Sequence, residues 1–294
     1  MVVPPPYQPY LDTAPAPFRW RLGLRPLDLA EWIQIDEHFD ADLRTKHQVS
    51  ERFPSTVFRA LEGDDVSAAS AETYRLIAEH LVSLDPQRFA HVPASSGRLH
   101  PLEAAGRLVQ EDLILLVERD GDLVCGGGSV CFPNRWHLAQ KVGLTMAQIH
   151  APVHQLNEQL EHPIDRAMER LTADRAFWRL GYGLLDTDSL YQAVDGTSQP
   201  IAESVDPAGY YLRVERETLR RLPASGSILF TIRTYINSLG DVPPDAAARL
   251  ADVLDAMPPG VADYKKLSEV GPAIARWLRD RNTDRATPTL SGED

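Results

Sequence analysis

The fold is decided by three consecutive stretches: DLILLVE at 112–118, RDGD at 119–122 and LVCGGGSVCF at 123–132. The continuous apolar run of the first stretch is typical of a buried strand. The Asp-Gly pair supplies turn chemistry, so the third stretch predicts the returning strand of a β-hairpin. Gly126, Gly127 and Gly128 weaken the middle of that strand. They predict a bulge, a close backbone approach or a simple flexible bend.

The remaining pattern predicts an α+β domain. Three more stretches are rich in aromatic and β-branched residues and predict strands that complete one antiparallel sheet of five: Ala176–Leu185, Gly209–Glu215 and Ser227–Tyr235. Apolar residues at helical spacing and helix-start signals predict helices around it: from Leu29 to Leu43, 67–84, 101–110, a turn opened by a Thr145–Gln148 capping box, a segment from Pro152 to about Leu160, 246–257 and 261–281.

The length of 294 residues and the composition favour one domain over residues 1–281. Within it, the proline-rich segment Val2–Pro17 predicts an extended strap rather than a helix. The polar residues 282–294 predict a disordered tail.

Charge and cysteine content exclude several classes of protein. The formal net charge of −12 and the lack of a dense Lys/Arg run argue against nucleic acid as a partner. Two cysteines and no signal-peptide pattern favour a cytoplasmic location. No apolar stretch reaches the roughly 20 residues that a membrane span needs. The oligomeric state stays open.

The densest group of chemically capable residues lies between Cys125 and His154. His150 and His154 have the spacing of a two-histidine metal site, but Ala151 replaces the glutamate of the zincin motif and Pro152 disturbs the helix. A buried, hydrogen-bonded structural histidine is the plain alternative for His150. Cys125 and Cys131 are six positions apart, which fits small buried apolar residues better than a redox or zinc motif.

Charged residues also alternate with apolar ones in the later strands. Arg213, Glu215 and Arg233 sit at such positions, with Arg216 next to them. If they face inward they must be paired or contact a ligand, and if they face water they form an ordinary solvated surface.

Several short motifs occur in a distinctive order along most of the chain. They are Trp32-Ile33 with Asp36, LVQED at 108–112, VCFPNRW at 130–136 with Lys141 and Gly143, IHAPV at 149–153, LRVER at 212–216 with Thr218-Leu219 and Arg221-Leu-Pro223, and FTIR at 230–233. In this order and spacing the sequence resembles the haem-dependent oxidative N-demethylases and their relatives.

This resemblance implies a PAS-like core: an antiparallel sheet flanked by helices, with b-type haem against the sheet. It implies His150 as the axial ligand of the haem iron, in a neutral form whose other ring nitrogen needs an acceptor. Cys131 is the rival ligand, since a thiolate would push electron density toward iron. Arg135, His137 and Lys141 are candidates to neutralise the haem propionates.

The implied reaction is oxidative removal of a methyl group from a small secondary amine by dioxygen and two electrons, with formaldehyde as the second product. Candidates for the pocket beyond the haem are Glu215 as the anchor of the amine, Arg213, Arg216 and Arg233 as contacts for dioxygen or propionates, and Trp178 as an aromatic surface.

Because no dinucleotide motif is visible, the resemblance predicts a separate NAD(P)H-dependent reductase carrying flavin and iron–sulfur centres. His154 and Phe177-Trp178 depart from the family pattern, where a second proline and Asn-Trp are frequent, and this leaves the substrate open. A haem-binding gas or redox sensor and a haem-free ligand-binding protein are the competing functions.

Overall fold

The computed structural model describes residues 20–92, 97–153, 155–192 and 206–286. Its centre is a seven-stranded sheet in the order β1-β5-β6-β7-β3-β4-β2, in which all neighbours are antiparallel. The strands are β1 (Arg25–Leu27), β2 (Phe58–Ala60), β3 (Asp112–Arg119), β4 (Asp122–Ser129), β5 (Ala176–Leu185), β6 (Tyr211–Arg221) and β7 (Ile228–Ser238).

Helices flank this sheet, and the predicted α+β class is confirmed. They are α1 (Phe39–Arg52), α2 (Pro54–Val57), α3 (Asp64–Leu84), α4 (Pro101–Gly106), α5 (Met146–His150), α6 (Leu156–Glu169), α7 (Pro244–Asp255), α8 (Pro259–Tyr264) and α9 (Gly271–Ala286). In the described part of the chain, none of them combines the length and the apolar composition needed to cross a bilayer.

The predicted hairpin and the three later strands are confirmed, but the sheet has two more strands than the five predicted. β1 pairs with the edge of β5, and β2 pairs with β4. Each has only three residues, which is too short to show an alternating pattern in the sequence.

The three consecutive glycines form both a bulge and a close backbone approach, two of the features that were predicted for them. The register between β3 and β4 shifts after Leu115, so Gly126 is an extra, bulged residue. Gly127 lies against β2, where a Cβ would stand 2.8 Å from the Cα of Ala60. The glycines therefore allow β2 to join the sheet at close range.

Some predicted helix boundaries are wrong. The stretch from Leu29 to Leu43 is not one helix, because the side chain of Asp36 accepts a hydrogen bond from the backbone of His38 and makes a turn before α1. The segment 261–281 is divided between α8 and α9 by Lys266, whose φ of 60° does not belong in an α-helix.

Two other boundaries are displaced. Gln155 has a φ of 54°, and the helix expected directly after Pro152 begins at Leu156. α9 continues to Ala286, past the predicted start of the tail at residue 282. The strap at 2–17 and residues 287–294 lie outside the described residues.

Alternation along the central strands gives the sheet two different faces. One, which we call the core face, carries Leu212 and Val214 and packs against α7 and α9 at one end and α3 and α4 at the other. The opposite face is apolar only in part, where Leu219 and Ile228 pack beneath Leu160 of α6. Its remaining part combines charged residues of β5 and β6 with Ile232, Thr234 and Ile236 of β7.

Candidate functional site

His150 ends a short helix whose start is fixed by the sequence. Thr145 caps α5 by accepting from the backbone N–H of Gln148, and the Gln148 side chain accepts from the backbone N–H of Thr145. This is the predicted capping box, and it is confirmed. Lys141 donates from Nζ to the carbonyl oxygen of Ile149 over 3.2 Å and so holds the end of α5.

The imidazole of His150 is neutral at pH 7. Burial lowers its pKa to about 4, with further contributions from the charges of Arg179 and Lys141, while the backbone of Met146 acts in the opposite direction. Its Nδ1 is buried, and no described residue forms a hydrogen bond of acceptable geometry with it. Neutral imidazole is the form that can bind a metal.

Arg179, whose charge acts on the pKa of His150, belongs to a patch that we call the charged face. It is built from alternate residues of two paired strands, in the register Arg179 opposite Glu217, Gly181 opposite Glu215, and Gly183 opposite Arg213. Glu215 and Arg179 keep 19% and 31% of their side-chain surface exposed, so a ligand can reach this face.

Ion pairs hold the four charged side chains in place. Arg213, only 1% exposed, donates from Nε to Glu215 Oε1 over 2.7 Å and from Nη2 to the carbonyl of Phe132 and to the hydroxyl of Thr234. Arg179 donates from Nε to Oε2 of Glu217. Burial raises the pKa of Glu217, and Arg179 opposes that effect. Each carboxylate is thus fixed through one of its two oxygens.

Lys265, between α8 and α9, adds another cation near the two carboxylates. It donates from Nζ to the carbonyl of Tyr182 over 2.9 Å, at the part of β5 that β1 does not reach. Burial lowers the pKa of Lys265, while the charges of Glu215 and Glu217 oppose the shift.

Two glycines of β5 lie within the charged face. A Cβ on Gly181 would meet Glu217 Oε1 at 3.2 Å, and a Cβ on Gly183 would meet Asn134 Nδ2 at 3.3 Å. The side chains of Glu217 and Asn134 therefore lie close over these glycines.

The structure does not bring the five predicted pocket residues together. Glu215 and Arg213 lie on the charged face, whereas Trp178, Arg216 and Arg233 lie on the core face by the strand register. Adjacent residues of a strand point to opposite sides of the sheet, so the contiguous motif at 212–216 is divided between two environments.

The two arginines of the core face have structural contacts. Arg216 donates to the carbonyls of Trp32 and Glu31 and lies over the ring of Trp178, with its guanidinium carbon 5.7 Å from the ring centroid. Arg233 donates to Asp36 Oδ2 over 2.5 Å and lies 3.4 Å from Asp42 Oδ2. They therefore lie on the sheet face opposite to Glu215.

Cys131 lies in a different, apolar place. Its side chain is 1% exposed and packs with Val57 and Phe132, and Sγ lies 3.5 Å from Ser50 Oγ. Burial raises the pKa of the Cys131 thiol to about 11, so the free side chain is protonated at pH 7. Cys125 is also buried, as expected for a small apolar residue.

The three residues predicted to contact the haem propionates lie in three different places. Lys141 is next to His150, as described above. Arg135 has a φ of 57° and pairs with Asp186 over 3.1 Å. His137 directly precedes the short 3₁₀ helix Leu138–Gln140 and is partly exposed. Its side chain has no described contact with His150.

In the predicted two-histidine metal site, the second histidine, His154, lies outside the described residues. Within the described ranges, no group of three or more His, Cys, Asp or Glu side chains is arranged to hold a metal ion.

The sequence reasoning missed Arg179, Glu217 and Lys265. Two of them had a usable signal: Arg179, Gly181 and Gly183 alternate with apolar residues along a predicted strand, and Glu217 continues the alternation of Glu215. Lys265 had none, since its position depends on how α8 meets the edge of β5.

The structure is an antiparallel α+β protein in which a buried histidine lies near a charged patch on one sheet face. A family model described as haem-dependent oxidative N-demethylase, alpha subunit-like, matches residues 23–275. The chain belongs to this family. The family name implies dependence on haem and an oxidative N-demethylase-like activity.

The residues of the site fit haem. His150 offers a neutral ring with a buried nitrogen that lacks a good hydrogen bond. Arg179 and Lys141 place positive charge near His150, which suits the propionates of a haem.

Proposed function

We propose that this chain is a haem-dependent oxygenase that removes a methyl group oxidatively from a small secondary amine. In this proposal residues 1–281 form one cytoplasmic, PAS-like domain that holds b-type haem through His150. The observation that carries the proposal is the environment of His150: a buried, neutral imidazole under the charges of Arg179 and Lys141, with the carboxylates of Glu215 and Glu217 on the same sheet face as Arg179.

The residues around His150 have distinct tasks. Lys141 holds the helix end that carries His150 and, with Arg179, supplies positive charge for the propionates. Glu215 anchors the amine cation, and Arg213 fixes the carboxylate of Glu215 in one orientation. These roles follow from charge and position on the same face of the sheet.

The overall reaction balances with dioxygen, two electrons and two protons. The carbon–nitrogen bond to the methyl group breaks, one oxygen atom leaves in formaldehyde, and the other leaves in water. Haem supplies the iron at which dioxygen is reduced when the cofactor is bound. The two electrons come from a separate NAD(P)H-dependent reductase with flavin and iron–sulfur centres, which we propose as the partner.

The first test is the absorption spectrum of protein purified with haem supplied, measured for the wild type, His150→Ala and Cys131→Ala. We expect a Soret band in the wild type and in Cys131→Ala, and its loss or shift in His150→Ala. An unchanged band in His150→Ala together with a changed band in Cys131→Ala would transfer the ligand role to the cysteine. A colourless wild type would overturn the haem proposal.

The second test is turnover with an electron donor. We expect formaldehyde in equal amount to the amine that is consumed, and a strong loss of turnover in Glu215→Gln at unchanged haem content. Reversible gas binding without consumption of reductant and amine would identify a sensor instead. Unchanged turnover in Glu215→Gln would remove the anchoring role.

A further inference from the structure

A buried carboxylate holds a chain segment that contacts the charged face. Asp112, the first residue of β3, is 1% exposed and accepts one hydrogen bond on each of its oxygens. The backbone N–H of Cys131 donates to Oδ1 and that of Phe132 donates to Oδ2, both over 2.8 Å. Because both oxygens accept, this one side chain fixes two consecutive peptide groups in orientation.

Lys46 of α1 favours the charged form of this carboxylate. Its completely buried Nζ lies 3.5 Å from Asp112 Oδ1. Burial raises the pKa of Asp112, while the charge of Lys46, the two backbone N–H groups and the charge of Arg213 oppose that effect. An ionised carboxylate is also the stronger acceptor for the two N–H groups.

The segment that Asp112 holds also binds the arginine beside Glu215. The carbonyl oxygen of Phe132 accepts from Arg213 Nη2 over 2.5 Å, and Arg213 Nε donates to Glu215 Oε1 over 2.7 Å. The nitrogens of a guanidinium have a fixed planar geometry. The place of Nη2 on the Phe132 carbonyl therefore determines the direction in which Nε points.

These contacts join three of the short motifs found in the sequence. LVQED ends at Asp112, VCFPNRW contains Phe132, and LRVER contains Arg213 and Glu215. The tasks proposed above concern only the last of the three. The hydrogen bonds from Asp112 to the peptide groups, and from Arg213 to the Phe132 carbonyl, connect the other two to the charged face.

We propose that Asp112 is a positioning residue for Glu215. By fixing the peptide group of Phe132 it sets the direction of the Arg213 guanidinium, which in turn orients the carboxylate. This inference rests on the proposed function, in which Glu215 anchors the amine. Asp112 is buried, so it acts through these two residues and not by contact with the amine.

The first test is a double-mutant cycle of Asp112→Asn and Glu215→Gln on the haem-loaded protein, with kcat/KM for dimethylamine as the readout. Asparagine keeps the shape of the side chain but replaces one acceptor oxygen by an NH2 group, which donates. Glu215→Gln should lower kcat/KM by about 10- to 100-fold, as expected for a hydrogen bond to a charged group. Asp112→Asn should lower it by about 10-fold alone and by less than about twofold in the Glu215→Gln protein, because the two residues act in series.

The second test observes Arg213 directly and needs no turnover. Ferrous protein with bound carbon monoxide is diamagnetic, so the side-chain Nε–H signals of isotope-labelled arginine can be recorded by NMR. The signal of Arg213 is identified by its loss in Arg213→Lys. In Asp112→Asn we expect it to change its chemical shift or to broaden beyond detection, because the hydrogen bond to Glu215 is no longer held in one geometry.

Arg233→Met is the control for a loss of stability. It also breaks a buried ion pair, but on the core face of the sheet. Its thermal midpoint should fall about as far as that of Asp112→Asn, while kcat/KM stays within about twofold of the wild type and the Arg213 signal is unchanged. If Asp112→Asn does not fold, the double variant with Lys46→Met takes its place, because it also removes the uncompensated buried cation.

Equal losses from Asp112→Asn in the wild-type and Glu215→Gln backgrounds would overturn the positioning role, and so would an unchanged Arg213 signal. A failure of the proposed function looks different: no Soret band, or full turnover in Glu215→Gln. The Arg213 signal, recorded on haem-free protein if no haem binds, then still decides whether Asp112 sets the geometry of the Arg213–Glu215 pair.

Discussion

Replacing Arg233 by methionine tests whether this arginine holds the fold or contacts the cofactor. Its side chain is 2% exposed and lies between two carboxylates of the loop and helix that precede β2. Burial would raise the pKa of Asp36, but the charge of Arg233 and a hydrogen bond from Gln110 lower it overall. Burial raises the pKa of Asp42, which Arg233 opposes. Methionine keeps much of the volume and removes the compensating charge.

The expected loss of stability follows from the burial of these partners. Removing one partner of a buried ion pair costs about 3–5 kcal/mol, because the remaining charge is left uncompensated. At about 2 °C per kcal/mol for a domain of this size, the thermal midpoint should fall by roughly 6–10 °C. The loss should be smaller at pH 5 than at pH 8, because protonation of Asp36 and Asp42 removes the uncompensated charge.

The assay is urea unfolding followed by circular dichroism, with haem content measured per folded protein. Arg75→Met is the control, because Arg75 pairs with Glu79 on the exposed surface of α3, where we expect a change below about 1 kcal/mol. Adding Asp36→Asn to Arg233→Met should restore part of the stability. Unchanged stability together with a loss of haem would refute the structural role and return Arg233 to the cofactor site.

Two more predictions concern a buried acid and the helix that carries His150. Burial raises the pKa of Glu111, so its contribution to stability is full below the unfolded pKa and is lost as pH rises through the higher folded value. The free energy of unfolding of Glu111→Gln, relative to that of the wild type, should therefore increase from pH 5 to pH 8, as measured by urea unfolding. A difference between the two proteins that does not change with pH would contradict this prediction. Thr145→Ala should weaken haem binding about fivefold through the loss of about 1 kcal/mol of capping, while Thr145→Ser, which keeps the hydroxyl, should not. Equal haem affinity of both variants would show that the cap does not position His150.

The local pattern of apolar and aromatic residues was enough to predict most of the central sheet. The run at 113–117 is apolar without interruption because β3 is buried between β4 and β7. Ala176–Leu185 has the predicted bounds because aromatic and apolar residues occupy most of its positions, although Arg179, Gly181 and Gly183 interrupt them. Strand β1 escaped prediction because its three residues are strand only through pairing with β5, and local sequence does not record a long-range partner.

The candidate site could be predicted only in part, because local sequence patterns do not record long-range packing. His150 stood out through its motif, and the capping box located the helix that carries it. The sequence did not reveal which sheet face each arginine occupies, since that depends on register and on the loop at 31–36 that folds over the core face. Lys265 reaches the carboxylates only through the packing of α8 beside β5.

The division of the 212–216 motif explains why residues so close in sequence require different kinds of experiment. Arg213 and Glu215 point to the face of His150, and their replacement should alter ligand binding in a protein that still folds. Arg216 points the other way and holds the backbone of Trp32, so its replacement should act first on stability. A loss of activity after changing any arginine of this motif therefore says little until stability and haem content are measured with it. The register of β6 tells which of the two to expect.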